Sequence, residues 1–256
     1  MLQLTDLSTG FLRSRHKIVV SSCLNGTMRT GELVCMIGRN GTGKSTLLKT
    51  IAGLLPSLGG NILWKGKSLR DVSLKEKAKL CSIVLTNRIH SDMLTVKDTV
   101  AMGRIPYTNA LGNLSAKDLE AVESSMEKAG VSFMPERSIG ELSDGEYQRV
   151  MIAKALAQST PLILLDEPTA YLDFPGKVAI MRLLRNLAHE TNRSVLLSTH
   201  DLELAFRFSD CLWILSKEEM SVGQISDAAM LDKISTTFAG GGICFDKSSA
   251  KFSFNL

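Results

Sequence analysis

Gly38-Arg39-Asn40-Gly41-Thr42-Gly43-Lys44-Ser45-Thr46 fits the phosphate-loop pattern G-x-x-x-x-G-K-[ST] without a mismatch. The apolar run Leu33-Val34-Cys35-Met36-Ile37 stands directly before it, and Leu47-Leu48-Lys49-Thr50-Ile51-Ala52 directly after. The first reads as a strand and the second as a helix, which is the context the pattern needs. Glycines let the main chain curl until several N–H groups point at a polyphosphate. The helix that starts there adds the positive end of its dipole. Lys44 can reach the β- and γ-phosphates, and the Ser45 hydroxyl can ligate Mg²⁺. Gly38 through Thr46 are therefore expected to bind a nucleoside triphosphate. The loop alone does not say what the energy drives.

A chain of 256 residues suits one large α/β domain, or a core with a smaller insertion. With 44% hydrophobic and 22% charged residues it has an ordinary globular composition. The net charge of +4 is modest, and its basic residues are scattered, which argues against a nucleic-acid surface. The five cysteines form no C-x-x-C pair and read as buried free thiols of a reducing compartment. No apolar run is long enough to span a bilayer, and the N-terminus lacks the pattern of a signal peptide. Membrane work, if any, would go through a partner.

Along the chain, Leu2–Leu7 alternates like a strand, and Leu12 to Lys17 reads as a polar, basic loop before a second strand at Ile18-Val19-Val20. Asn61–Trp64 and Ser82–Leu85 are further strands. From residue 95 to 158 the pattern turns helical. There Val96, Val100 and Met102 share one side, Ser115 opens a capping box, and Leu119, Val122 and Met126 follow at helical spacing. Residues 1–94 and 159–256 are expected to form the α/β core around this insertion. Strands return at Leu162–Leu165 and Ser194–Ser198, with a helix over Val178–His189 between them, as in a parallel sheet. Cys211–Leu215 reads as the last core strand. Ile243–Phe245 and Lys251–Phe254 suggest a terminal hairpin.

The strand Leu162–Leu165 ends in Asp166-Glu167. Beside a phosphate loop, Asp166 is the expected second Mg²⁺ holder, and Glu167 is placed to polarise the water that attacks the γ-phosphate. Leu142-Ser143-Asp144-Gly145-Glu146, followed by Gln148-Arg149, resembles the L-S-G-G-Q signature of ATP-binding cassette (ABC) ATPases. Ala170-Tyr171-Leu172-Asp173 resembles the D-loop of that family, and Ser198-Thr199-His200-Asp201 its switch. The motifs come in the family's order and span essentially the whole chain.

The resemblance implies an α/β P-loop NTPase fold. It has a mostly parallel sheet, antiparallel β elements at the N-terminus and an inserted helical subdomain. It implies ATP and Mg²⁺ as cofactors and a homodimer with two composite sites. In each site Ser143, Gly145 and Glu146 of one copy, with Asp173 crossing the interface, would complete the site on the other. His200 would contact the γ-phosphate and Phe11 would stack on adenine. Two departures stand out. Asp144 and Glu146 replace Gly and Gln in the signature, so carboxylates lie where a triphosphate is expected. The family's Gln after the strand at Ser82–Leu85 is missing; Thr86 aligns best with it and is the expected Mg²⁺ ligand in its place, the alternatives being Asn87 or neither residue.

Met102-Gly103-Arg104-Ile105-Pro106-Tyr107 and Gly112-Asn113-Leu114-Ser115 resemble a segment of the importer ATPases for iron chelates, haem and cobalamin. That likeness implies an ATP-hydrolysing subunit, peripheral on the cytoplasmic face of the inner membrane. Its partners would be integral-membrane permease subunits and, indirectly, a substrate-binding protein. The permease would sit near Thr86–Met93 and Ile105–Leu111. Two alternatives stand: an ABC ATPase acting on soluble partners, as in iron–sulfur cluster assembly, and a nucleic-acid ABC protein. The second usually carries tandem cassettes, long coiled coils or zinc cysteines, and the sequence shows none of these.

Overall fold

The computed structural model describes residues 1–13, 16–89, 91–109, 112–238, 243–247 and 249–254. Strands β1 (Leu2–Arg13) and β2 (His16–Met28) form an antiparallel hairpin. Strand β3 (Leu33–Ile37) leads through the phosphate loop into α1 (Lys44–Ile51). Strands β4 (Gly59–Trp64) and β5 (Lys67–Ser68) rejoin the first sheet, and α2 (Leu74–Leu80) runs into β6 (Cys81–Val84). Helices α3 (Val96–Ala101), α4 (Ala116–Ala129) and α5 (Asp144–Ala157) come next. Then β7 (Leu162–Asp166), α6 (Phe174–Thr191), β8 (Ser194–Ser198), α7 (Leu202–Phe208) and β9 (Cys211–Leu215) alternate. Strand β10 (Met220–Gly223), α8 (Ala228–Phe238) and the hairpin β11 (Ile243–Asp246)–β12 (Lys251–Phe254) follow.

The central sheet has the order β10-β9-β3-β8-β7-β6, parallel except for the edge strand β10. A second, antiparallel sheet has the order β2-β1-β4-β5. Strands buried on both faces explain the continuous apolar runs. In β3, Leu33, Cys35 and Ile37 face one core, with α5, α6 and α7. Val34 and Met36 face the other, with α1 and the antiparallel sheet, through Leu2, Leu4, Leu7, Leu24, Met28 and Trp64. The helices between β6 and β7 share the first core through Val96, Val122, Met126 and Val150. No helix among the described residues is long and apolar enough to cross a membrane.

Several expectations are corrected. Leu12 to Lys17 is not a polar loop: the strands run on, pairing Phe11 with Ile18 and Leu12 with Lys17. Phe11, Leu12, Ile18 and Val19 are exposed there, so no alternation of burial marked the strand. Ser14 and Arg15 lie outside the described residues, as do His90, Ala110 and Leu111 of the expected permease contact. The sheet does not end at Cys211–Leu215, because β10 adds an antiparallel edge. Leu119 is exposed while Val122 and Met126 are buried. The cysteines are not all buried: Cys23 and Cys244 are exposed, Cys81 and Cys211 are half-buried, and Cys35 is buried.

The Gly103-Arg104-Ile105-Pro106-Tyr107 segment acquires a structural account. Arg104 is buried, with its guanidinium donating to Asp118 Oδ1 at 2.9 Å, the Ala157 carbonyl at 2.6 Å and Ser159 Oγ at 3.0 Å. The Tyr107 ring covers it, 4.0 Å from centroid to guanidinium carbon. Asp118 is the capping-box acid of α4, accepting from the Ser115 N–H and hydroxyl. These bonds, the Ser115 ones foremost and Arg104 after them, lower the Asp118 pKa to about 2. A folded carboxyl held this low adds stability above its unfolded pKa, and loses it as pH falls through about 4 toward 2. Arg104→Ala, which leaves Asp118 buried without its cation, should cost about 3–5 kcal/mol in urea unfolding at pH 7. The deficit should shrink toward pH 2, where wild type is losing the same interaction. A deficit that is constant from pH 7 to pH 2 would contradict the assignment.

Candidate active site

The phosphate loop spans Gly38 to Gly43, between β3 and α1. Gly43 sits at φ +96°, and an added Cβ there would collide with Ser21 and Val20 of β2. Glycine is thus required twice, by conformation and by the approach of the hairpin. Ser21 Oγ donates to the Thr42 carbonyl at 2.7 Å and pins the loop from that side. Arg39 Nε reaches the other way, donating to the Thr237 carbonyl of α8 at 2.8 Å. Lys44 Nζ is folded onto the loop, donating to the carbonyls of Gly38 at 2.9 Å and Arg39 at 3.3 Å. Burial lowers its pKa, while Glu167 and Asp166 oppose that shift.

Asp166 ends β7 and is buried. Its Oδ1 accepts from Ser45 Oγ at 2.9 Å and from Ser198 Oγ, at the end of β8, at 2.8 Å. Ser198 Oγ in turn accepts the Glu167 N–H at 2.9 Å. That bond helps hold Glu167 at φ +51°, a left-handed conformation that costs a non-glycine residue about 1 kcal/mol or more. The Glu167 carboxylate lies 2.8 Å from His200 Nε2. Thr86 Oγ1 donates to the Asp166 main-chain carbonyl at 3.2 Å, so it reaches the peptide of that residue rather than its carboxylate.

A cavity of 330 Å³ is lined by Phe11, Val20, Asn40, Gly41, Gly43, Lys44, Ser45, Thr46, Glu167 and His200. Its walls come from the hairpin, the phosphate loop and the ends of β7 and β8. The sequence expectation thus brings Phe11, the loop, Glu167 and His200 to one place, with Asp166 directly behind. Ser45, Asp166 and Thr86 offer hard oxygen donors only, the chemistry that suits Mg²⁺.

Ser143, Gly145, Glu146 and Asp173 are absent from the cavity lining. Ser143 caps α5, accepting the Glu146 N–H at 3.3 Å while its own hydroxyl donates to Glu146 Oε2 at 2.8 Å. Glu146 also pairs with Arg137 at 2.9 Å, and these bonds, led by Ser143, lower its pKa. Asp173 caps α6 by accepting the Gly176 N–H at 3.0 Å. Sequence reasoning missed Ser198 as a site residue, although it named the motif around it. A hydroxyl residue at a buried strand end, level with Asp166 on the neighbouring strand, was the available signal. It also missed Ser21 and Val20, although it read Ile18-Val19-Val20 as a strand; their place at the site depends on a hairpin of which Leu12 to Lys17 was read as a loop.

Comparison with known proteins agrees with this geometry. A family model described as ABC transporter matches residues 22–170, more than half of the chain. The probable siderophore transport system ATP-binding protein YusV of Bacillus subtilis is 37% identical over 222 residues, covering 86% of this chain and 81% of that protein. The iron(3+)-hydroxamate import ATP-binding protein FhuC of Bacillus subtilis is 39% identical over 199 residues, covering 78% and 74%. Among solved structures, the dimeric post-hydrolysis state of the cassette MJ0796, bound to ADP and Pi, superposes with a TM-score of 0.76 at 26% identity. That match covers 89% of this chain and 100% of the other. A loop built for triphosphate, a strand-end carboxylate behind it and relatives of this closeness lead to one assignment: the chain belongs to the ABC transporter family, as an ATP-binding cassette.

Proposed function

We propose that this chain hydrolyses ATP as the energy-supplying subunit of an importer for an iron chelate, haem or cobalamin, acting as a homodimer on a separate membrane permease. The observation that carries the catalytic part is the chain Ser45–Asp166–Ser198–Glu167–His200 along the wall of the cavity. The names of the relatives, a siderophore and a hydroxamate system, support the transport part and favour it over action on soluble partners.

In this reading Phe11, exposed at the cavity mouth, stacks on adenine. The N–H groups of Gly38 to Thr46 hold the phosphates, and Lys44 exchanges its two loop carbonyls for β- and γ-phosphate oxygens. Ser45 and Asp166 would hold Mg²⁺, with Thr86 as a further oxygen or through water; the ion neutralises charge on the phosphates when bound. Glu167 accepts the proton of the attacking water, and His200, in contact with it, faces the γ-phosphate. Ser143 and Gly145 of the second copy close the site, with Asp173 near the crossing. Glu146 serves by fixing the Ser143 cap. Exposed Ile89, Met93 and Ile105, within the two segments the resemblance assigns to the permease, form the apolar part of that contact.

Lys44→Ala should lower ATP turnover by about 10²-fold or more, because it removes the fixed charge on the transferring group. Wild-type turnover in this variant would refute the loop assignment. Glu167→Gln should lower turnover by about 10²–10⁴-fold while still binding ATP. Size exclusion with ATP and Mg²⁺ should then show a dimer, and a persistent monomer would remove the composite site. For the transport part, a pull-down from detergent-solubilised membranes should retain a polytopic membrane protein. Recovery of soluble partners alone would favour the remodelling alternative.

A further inference from the structure

Two residues at the departures from the family pattern meet each other. Arg88 Nη1 lies 2.6 Å from Asp144 Oδ1, and its Nη2 donates to the Leu142 carbonyl at 2.5 Å. The guanidinium carbon stands 4.9 Å from the centroid of the Tyr147 ring. The next residue joins in, since the Ile89 N–H donates to Tyr147 Oη at 2.8 Å. Residues 88–89 therefore grip the start of α5 at four points. Two residues upstream, the Thr86 hydroxyl is fixed to the Asp166 carbonyl. One short segment thus runs from the strand end that carries Asp166 to the helix start that carries Ser143 and Gly145.

The chemistry makes the pairing specific. Asp144 is the first residue of α5, where a carboxylate is favoured by the helix dipole whatever its neighbours. The ion pair is partly exposed, with side chains 26% and 53% accessible, so charge attraction alone is modest. The grip is directional instead: a planar fork divides its donors between a carboxylate and a main-chain carbonyl while lying over an aromatic face. Lysine would keep the charge and lose the fork.

We infer that Arg88 and Asp144 are a matched pair of positioning residues that hold the N-terminus of α5 at a fixed offset from Asp166. Arg88, two residues past Thr86, then supplies the partner that the Asp144 substitution needs. The consequence for function rests on the proposed ATP hydrolysis by a composite dimer. Neither residue lines the nucleotide cavity. Their loss should therefore impair presentation of Ser143 and Gly145 to a second copy, and leave nucleotide binding by the single chain alone.

The test is a double-mutant cycle in the full chain with Arg88→Ala, Asp144→Gly and the double variant, plus Arg88→Lys. Amide hydrogen exchange without nucleotide reads the grip directly. Residues 143–147 should exchange roughly tenfold faster in Arg88→Ala and in Arg88→Lys than in wild type. In steady-state hydrolysis, Arg88→Ala should raise the half-saturating ATP concentration roughly tenfold, with ADP affinity unchanged. In the Asp144→Gly background the same substitution should have a clearly smaller effect. Equal effects in both backgrounds, unchanged exchange, or a parallel loss of ADP affinity would each overturn the inference. If Arg88→Ala does not fold, Arg88→Lys carries the same comparison. Wild-type hydrolysis reports separately on the proposed function: an inactive wild type with the exchange difference intact removes that reading and leaves the clasp.

Discussion

One carboxylate oxygen holds the site together. Asp166 Oδ1 accepts hydroxyl bonds from the phosphate-loop helix through Ser45 and from β8 through Ser198. A buried charge must be hydrogen-bonded to be tolerated, and Asp166 satisfies that need with hydroxyls from the helix after the phosphate loop and from the end of β8. Lys44 meets its own need differently, through two main-chain carbonyls of the loop. Among the described residues no ion pair joins Lys44 to Asp166, so each charge is satisfied by neutral dipoles. A phosphate can replace the carbonyls on Lys44, and a cation can replace the hydroxyl hydrogens on Asp166. The first replacement trades a hydrogen bond to a dipole for a charge-assisted one, and the second trades it for a direct contact between opposite charges.

How much of this was legible depended on how local each signal was. The phosphate loop, Asp166-Glu167 and His200 were readable because strand, turn and side chain lie within a few consecutive residues. Phe11 lines the cavity, although the segment around it was misread: exposed Leu12, Ile18 and Val19 gave the hairpin no burial alternation. Helix α2 escaped because it buries nothing fully, so its sequence carries no apolar stripe. Its capping box, Ser73 with Glu76, was the one available mark. Strand β10 is four residues long and pairs only at the sheet edge. Ser198 was hidden for another reason. Its role follows from being level with Asp166 on an adjacent strand, a relation of register that no single stretch of sequence states.

The Gly103–Tyr107 segment shows the opposite case, a pattern noticed before its physics was known. Arg104 ties the start of α4 to the end of α5 through Asp118 and the Ala157 carbonyl, and Tyr107 Oη donates to the Gln158 carbonyl at 3.0 Å. Gln158 Nε2 goes on to the carbonyls of Ala78 and Cys81, beside β6. The segment therefore fastens the helices between β6 and β7 to the sheet at the end of α5 far from Ser143. Arg88 fastens the other end. Helix α5 is thus fastened at both ends, by Arg88 at its start and by Arg104 and Tyr107 at its close.

The carboxylates of the signature pose the remaining electrostatic question. An uncompensated acid beside a γ-phosphate would oppose binding, yet each has a cation within hydrogen-bond distance: Arg88 for Asp144 and Arg137 for Glu146. Ser143 is exposed, and its hydroxyl now donates to Glu146 while accepting the Glu146 N–H. The N–H bond that caps the helix does not depend on where the hydroxyl proton points. The proton can therefore turn to another acceptor without uncapping α5. Glu146 then keeps Arg137 as its counter-charge. The substituted signature thus keeps the Ser143 hydroxyl, and its extra charge is held on side chains already paired within the same molecule.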